Sequence, residues 1–231
     1  MVIKDKDLGE IKLKKSVRAR RITVRYKDGC YHLSYPPFAS QSAIESSIEQ
    51  MKPNLLKLKE NAPAIQPIDE DNPFITFSFK TEIGQNSLTR YYTRLNNGVL
   101  YITYPQNRVC NDSDTQSTIR CLIEKAMRYE ANRIFPDKVL QYAKQYGFRY
   151  TSVAINKSRT RWGSCSSQQK INLSYYCMLL PEHLVDFIIL HELCHTVEMN
   201  HGERFWNLLD KVSGGKSKKL TRELKNYRTN W

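Results

Sequence analysis

The first half of the chain alternates apolar and polar residues in short stretches, a pattern typical of half-buried β-strands. Residues 21–26 alternate in this way, and residues 30–35 do so again before a Pro-Pro pair. Asp28-Gly29 between them is a residue pair typical of tight hairpin turns. Apolar residues then recur every three or four positions over residues 42–60, which predicts a helix that could break at Pro53.

A similar arrangement returns further along the chain. Residues 93–105 repeat the order of residues 24–36, each with a glycine seven residues before a proline, and each is followed by a helical pattern. The second of these helices is predicted over residues 114–135. Two interpretations stay open, an internal duplication and two independent hairpins that share turn chemistry. The Pro- and Asp-rich segment 62–73 between the two is typical of a linker.

The second half of the chain mixes helices with short strands. The predicted elements are a helix over 136–146 ended by Gly147, strands over 151–156, 161–165 and 170–175, a helix over 181–200, and a helix over 203–212 ended by Gly214-Gly215 before a basic tail. Pro181 and Glu182 suit the first turn of the helix predicted over 181–200. This helix is apolar on nearly all sides, which is typical of a buried helix.

These patterns predict an α+β protein with two parts. Residues 1–112 form a strand-rich N-terminal region with the repeated hairpin-helix unit, and residues 113–231 form a compact domain of helices and a small sheet. With 231 residues, 40% hydrophobic and 11% aromatic, the chain has the composition of a folded globular protein.

The chain is strongly basic, with a formal net charge of +13. Lys and Arg concentrate at residues 12–25, 157–161 and 216–228. Such a surface is either simply solvated or makes non-specific contact with nucleic acid, and no DNA-reading motif decides between the two. No stretch approaches the roughly 20 apolar residues of a membrane span. Since the N-terminus also lacks the apolar run of a signal peptide, we expect a cytoplasmic protein with no membrane partner.

Six cysteines are scattered along the chain without a C-x-x-C pair, at positions 30, 110, 121, 165, 177 and 194. In a chain of this length without a signal peptide, this distribution favours free thiols over a disulfide framework. Cys194 lies among the histidines described next, but one position off the helix face that His191 and His195 share. Core packing is therefore favoured over metal ligation for Cys194.

Three of the five histidines fall within eleven residues, in the sequence His-Glu-Leu-Cys-His-Thr-Val-Glu-Met-Asn-His from His191 to His201. Residues four apart share one face of a helix, so His191 and His195 can bind one metal ion. Glu192 is then placed to take a proton from a metal-bound water. His201 supplies a third nitrogen if the helix ends and the chain folds back, which the neighbouring Asn and Gly favour. Histidines without a ligand role are the alternative, and the H-E-x-x-H spacing favours zinc.

Further residues carry a resemblance to a known family. In chain order they are Arg161-Trp162-Gly163-Ser164-Cys165, Ile171-Asn172-Leu173, Pro181, the histidine motif and Phe205-Trp206. This order resembles that of the YgjP-like metallopeptidases, small zincins related to the SprT-like and WLM-type proteases. The resemblance is dense over residues 156–206 and weaker before them, where Arg18-Ala19-Arg20-Arg21 is compatible with it.

The resemblance implies a compact zincin-like core in the C-terminal domain, with the HExxH segment on its active-site helix. It implies one Zn²⁺ per chain, held by His191, His195 and His201, with Glu192 as the general base. The implied activity is hydrolysis of peptide bonds in a peptide or protein substrate by a metal-activated water.

The resemblance also places the strand from Arg161 to Cys165 along the cleft, where an extended peptide could add to its edge. Candidate substrate-binding residues are Arg161, Trp162, Gly163, Ser164, Cys165 and Tyr175. A purely structural strand and turn explains the Arg-Trp-Gly-Ser-Cys sequence equally well. Tyr175, Tyr176 and Arg161 are candidate donors to the oxyanion.

Alternatives remain for the ligand set and for the function. A metzincin is disfavoured, because Glu198 stands where that class has glycine and no methionine follows Met199. A thermolysin-like site would use Glu223, and Glu198 is poorly placed for a tetrahedron, so His201 is favoured as third ligand. Two other functions remain, a DNA-associated protein-processing metalloprotease and a non-catalytic module with a structural zinc.

Overall fold

The chain folds as two units, Met1–Gln66 and Pro67–Trp231. The structure, a computed structural model, describes residues 2–27, 30–60, 66–229 and 231. The hairpin turn predicted at Asp28-Gly29 and residues 62–65 of the predicted linker lie outside the described residues.

The first unit is a four-stranded sheet with one helix. Its elements are β1 (Val2–Asp5), β2 (Gly9–Lys15), β3 (Thr23–Lys27), β4 (Cys30–Tyr35) and α1 (Gln41–Glu60). The strand order is β1-β2-β4-β3, with β2 parallel to β4 and β3 antiparallel to it, which confirms the predicted hairpin. Ile11 and Leu33 on one sheet face share a buried core with Ile44 and Ile48 of α1. Pro53 lies inside α1 without ending it.

The second unit contains two three-stranded sheets. One is formed by β5 (Lys80–Asn86), β6 (Tyr92–Asn96) and β7 (Val99–Pro105), the other by β8 (Ser152–Asn156), β9 (Gly163–Cys165) and β10 (Lys170–Ser174). In each, the third strand lies in the centre, parallel to the first and antiparallel to the second. Strands β2, β3 and β4 of the first unit have this same arrangement. The repeated segments 24–36 and 93–105 therefore lie in two of three sheets that share this strand arrangement in the described structure.

A single long helix, α2 (Ser113–Tyr146), runs through the core of the second unit. The sequence predicted two helices separated at Pro136, and this prediction is wrong. Proline removes one backbone hydrogen bond, but Phe135 and Val139 on either side of it are fully buried in the core and hold the helix together. Gly147 ends α2 in the left-handed conformation at φ 72°, as predicted.

The division between the two units lies at Gln66/Pro67, whereas the sequence-based boundary was placed between residues 112 and 113. The difference arises because the sheet β5–β7 belongs to the core that surrounds α2. Leu100 and Ile102 of β7 are buried in the same cluster as Ile119 and Ile123 of α2.

The remaining elements of the second unit are a 3₁₀ helix (Tyr175–Leu179), α3 (Glu182–Cys194), α4 (Glu203–Val212) and α5 (Ser217–Leu224). Helix α3 ends before residue 200, because the N–H groups of Thr196 and Val197 close short turns onto Leu193 and Cys194. Helix α5 replaces the predicted basic tail, since its Leu220 packs on the core. In described residues 2–27, 30–60, 66–229 and 231, no helix has the length and apolar character that a membrane crossing requires.

Candidate metal centre

Three histidines from the end of α3 and the start of α4 converge on one point. His191 lies in the last turn of α3, His195 caps its C-terminus, and His201 lies just before α4. Nε2 of His191 lies 3.2 Å from Nε2 of His195 and 3.1 Å from Nε2 of His201. Because α3 ends at Cys194, the chain turns back within six residues and brings His201 to the other two. The predicted cluster is therefore present.

The surroundings keep two of these imidazoles neutral. Burial, and then the neighbouring His195 and His201, lower the pKa of His191 to about 3. Burial also lowers the pKa of His195, against the opposing effect of the Glu198 carbonyl. Nδ1 of His195 lies 3.1 Å from that carbonyl, which can only accept, so Nδ1 carries the proton. Nε2 of His195 is left with a free lone pair directed at the cluster.

Phe205 packs against all three imidazoles, and reasoning from the sequence assigned it no role in the site. Its ring is stacked on His195 with centroids 4.5 Å apart, and lies edge-on to His191 at 4.9 Å and to His201 at 4.7 Å. The ring is fully buried, in the first turns of α4. The signal available in the sequence was its spacing, one helical turn after His201 at the start of a predicted helix.

Glu192 is a buried carboxylate that directly follows His191 in the chain. It is 5% exposed, and within the described part of the chain its Oε2 has no hydrogen-bond partner. Burial raises the pKa of Glu192 to about 8, and the positive charge of Arg161 opposes this effect. A carboxylate in this position gains strongly from any cation bound nearby.

Strand β9 passes close to Glu192. A Cβ atom on Gly163 would meet the Oε1, Cγ and Cδ atoms of that side chain. Strand β9 is at the edge of its sheet, paired only with β10 through Gly163, Ser164 and Cys165. The strand is shorter than the predicted 161–165, because only Gly163, Ser164 and Cys165 pair with β10. The backbone groups on the outer side of β9 do not pair within this sheet.

The other residues of the Arg-Trp-Gly-Ser-Cys sequence have distinct surroundings. Arg161 is exposed and acts electrostatically on Glu192. Trp162 packs on the core, and its carbonyl accepts from the Ser174 N–H at 2.8 Å. Burial, and then the charge of Glu192, raise the pKa of the Cys165 thiol to about 11, so this thiol stays protonated.

Tyr175 points its hydroxyl at a different group. The side chain is 3% exposed and its oxygen lies 3.2 Å from Oε2 of Glu124, while Tyr176 donates to Oε1 of Glu124 at 2.6 Å. A buried ring with its hydroxyl already engaged has no surface for a substrate. The hydroxyls of Tyr175 and Tyr176 are both held on Glu124.

The alternative ligands considered from the sequence have other partners. Glu223 Oε1 lies 2.7 Å from Nε2 of His183, and the histidine cluster of the described residues includes neither Glu223 nor Glu198. Cys194 is fully buried with Phe187 and Leu190, and burial raises its pKa to about 12, which confirms its predicted role in core packing.

A family model describes almost the whole chain. The model of the YgjP-like metallopeptidase domain matches residues 20–227. The chain belongs to the YgjP-like family. The resemblance found in the sequence is thereby confirmed, and so is a metal-dependent peptidase as the class of protein. The family extends over both structural units, since its match begins within the first.

Two solved structures show a limited likeness to this family member. The metallopeptidase zymogen of Pyrococcus abyssi abylysin is 23% identical, covers 39% of this chain and 92% of its own, and has a TM-score of 0.36. The metallopeptidase zymogen of Methanocaldococcus jannaschii jannalysin is 24% identical, covers 39% and 93%, and has a TM-score of 0.35. At such TM-scores the likeness carries no argument. No curated protein matches the chain.

Proposed function

We propose that the protein is a zinc peptidase in which His191, His195 and His201 hold one zinc ion and Glu192 is the general base. Two separations in the histidine cluster carry this proposal. Ligand nitrogens around a tetrahedral zinc lie about 3.3 Å apart, close to the 3.2 and 3.1 Å that separate Nε2 of His191 from Nε2 of His195 and of His201. One ligand atom from each of the three histidines lies within 4.8 Å of the others.

The chemistry of the donors fits zinc. Neutral imidazoles with lone pairs directed at one point repel one another unless they share a cation, and imidazole is a preferred zinc ligand. The bond from His195 Nδ1 to the Glu198 carbonyl fixes the required tautomer. Three protein ligands suit a catalytic zinc rather than a structural one, which usually has four.

The hydrolysis depends on a water and on Glu192. A zinc ion held by the three histidines would lower the pKa of a water to about 7 and would polarise the substrate carbonyl. Glu192 accepts the proton of the attacking water and returns it to the leaving amine, so the carboxylate ends the cycle unchanged. Glu192 is buried beside the three histidines, and a cation held by them would favour its ionised form, which is the form that accepts a proton.

Strand β9 is proposed to hold the substrate. An extended peptide pairs with the free edge of β9, which places its backbone beside Glu192. Gly163 permits the close approach of β9 to Glu192, because a Cβ atom at this position would collide with the carboxylate. Arg161, exposed and electrostatically coupled to Glu192, is the proposed donor to the oxyanion.

Metal analysis tests the ligand set. Zinc is measured by elemental analysis on untagged wild type, His191→Ala and His201→Ala, with folding checked by circular dichroism. We expect about one zinc per chain in the wild type and loss in both variants. The matched control is His183→Ala, a histidine of α3 outside the cluster, which keeps its zinc. Zinc that persists in the His191 or His201 variant would refute the ligand set.

Peptide cleavage tests the reaction itself. The zinc-loaded enzyme is incubated with a mixture of unstructured peptides and the products are identified by mass spectrometry. The proposal is supported if cleavage of backbone bonds stops when a chelator is added and resumes when zinc is restored. Intact peptides beside a zinc-loaded, folded protein would favour a non-catalytic zinc module.

A further inference from the structure

The first unit presents a basic sheet face that the proposed peptidase chemistry does not use. Residues 12–25 contain seven Lys and Arg and no Asp or Glu. All seven cationic side chains are exposed. None of them lies within ion-pairing distance of a carboxylate in the described parts of the chain, in contrast to Lys52 of α1, which pairs with Asp5 and Asp7.

Strand register gathers these charges on one side of the sheet. Lys12 of β2, His32 of β4 and Arg25 of β3 are directly paired neighbours across three strands. The next row on the same face consists of Lys14, Ser34 and Thr23. The opposite face carries Ile11 and Leu33 and packs on α1, so the paired residues of these two rows point away from the helix. The basic sheet face is defined by Lys12, Lys14, Thr23, Arg25, His32 and Ser34.

A cavity of about 580 Å³ extends the basic sheet face at one end. Its polar lining consists of Arg18, Arg20, Arg21, Ser16, Thr23 and Ser34. Guanidinium groups beside hydroxyls form a donor set that matches phosphate oxygens, because arginine binds them in a bidentate manner and hydroxyls add single hydrogen bonds.

Three carboxylates of the first unit have partners away from this cavity. Glu10 is at the far end of β2, where it pairs with Lys4 at 3.9 Å. Asp5 and Glu49 both pair with Lys52 of α1. Cationic and anionic side chains therefore occur together along α1 and the β1–β2 turn. The charged side chains that line the cavity are all cationic.

Two exposed apolar side chains flank the same end. Phe38 is 81% exposed and Val17 is 87% exposed. Phe38 follows β4 by three residues, and the carbonyl of Tyr35 at the end of β4 accepts from the N–H of Ser16, a cavity residue. Phe38 follows the cavity residue Ser34 by four positions, and an exposed aromatic ring can stack a base, as on other sheet surfaces that bind single strands.

We propose that the basic sheet face and its arginine cavity bind single-stranded nucleic acid. Lys12, Lys14 and Arg25 contact the phosphate backbone, the cavity arginines hold a further phosphate, and Phe38 stacks on a base. The flat, open sheet with a helix on its other side suits a flexible strand, whose bases can turn toward the protein. The proposal is independent of the zinc site and of peptide hydrolysis.

The proposed binding is tested by fluorescence anisotropy with a short labelled single-stranded oligonucleotide. The full chain is used, and the affinity is measured over a series of salt concentrations. Each phosphate contact contributes about 0.7 to the slope of log affinity against log salt, so Lys12→Gln/Arg25→Gln is expected to reduce the slope by about 1.4. The matched control is Lys125→Gln/Arg128→Gln on exposed positions of α2, which removes the same charge and leaves the slope unchanged. Equal losses in both variants would overturn the proposal in favour of a general charge effect.

A second variant and competing ligands identify the partner. Phe38→Ala is expected to weaken binding of the single strand while the salt slope stays unchanged, because it removes stacking and no charge. Tighter binding of a duplex, of polyglutamate or of vesicles containing phosphatidylserine than of the single strand would overturn the assignment to single strands. Folding of all variants is checked by circular dichroism, and binding is measured with the catalytic zinc present and after chelation, where the affinity should be equal.

Discussion

A Cβ atom on Gly163 would lie 2.5 Å from Oε1 of Glu192 and 2.8 Å from its Cγ. Real Cβ atoms essentially never approach another heavy atom so closely. The backbone of Gly163 is not in a left-handed conformation, so the glycine is required by the proximity of the carboxylate and not by its own φ angle. The edge strand and the HExxH helix are packed together at the residue proposed as the base.

Gly163→Ala is expected to displace the Glu192 carboxylate while leaving the three histidines in place. A displacement of about 1 Å in a catalytic group costs roughly a hundredfold in rate, so kcat should fall by about that factor. Zinc content should not change. The matched control is Gly84→Ala on β5, where the new Cβ would meet Thr103 at an ordinary 4.0 Å. Full activity in the Gly163 variant would show that Glu192 needs no such packing.

Glu192→Gln tests the base directly. The amide keeps the size of the side chain but cannot accept the proton, so hydrolysis should fall by roughly a hundredfold to ten-thousandfold. Zinc content, measured on the same preparation, should remain at the wild-type level because Glu192 is not a proposed ligand. A variant that kept zinc and full activity would assign the base to another group.

Phe205→Leu is expected to loosen the metal site without removing a ligand. The ring holds the three imidazoles in their mutual orientation, and disturbing groups that orient metal ligands costs about tenfold in affinity. Zinc affinity is measured by competition with a chelator. The control is Phe187→Leu, a buried aromatic of the same cluster with no ring contact to the histidines in the described structure. Equal losses of zinc affinity in the two variants would show that Phe205 acts only through core packing.

Glu124 should make the stability of the second unit depend on pH. Burial alone would raise the pKa of its carboxyl, but hydrogen bonds from Lys157 and Tyr176 outweigh burial and leave the pKa below its ordinary value of 4.5. A carboxyl whose pKa is lowered by folding stabilises the protein above its unfolded pKa, and this stability is lost as the pH falls through the folded value.

Glu124→Gln is therefore expected to lower the free energy of unfolding at neutral pH by roughly 2 kcal/mol, the size of hydrogen bonds to a charged group. The difference between wild type and variant should shrink as the pH falls below 4.5. This difference is measured by urea unfolding. Tryptophan fluorescence is a suitable probe because all three tryptophans lie in the second unit. A difference that stayed constant between neutral and acidic pH would contradict the assignment of the effect to the Glu124 charge.

Much of the local structure could be predicted because it depends on neighbours in the chain. The alternating strands of the β3–β4 hairpin, the glycine at position 147 and the apolar helix α3 follow from periodicity and turn chemistry. The break predicted at Pro136 and the missing α5 show the limit of that reasoning. Burial of Phe135 and Leu220 in a core formed by distant residues outweighs the local preference of the chain.

The sequence by itself determined two members of the histidine cluster, because the H-E-x-x-H spacing places His191 and His195 on one helical face whatever surrounds the helix. The tertiary structure decided what the spacing leaves open. It ends α3 at Cys194 so that His201 can return, packs Phe205 against the three imidazoles, and directs the hydroxyl of the buried Tyr175 to Glu124. These relationships join residues from different elements, and only the packing of a complete core fixes distances between such residues.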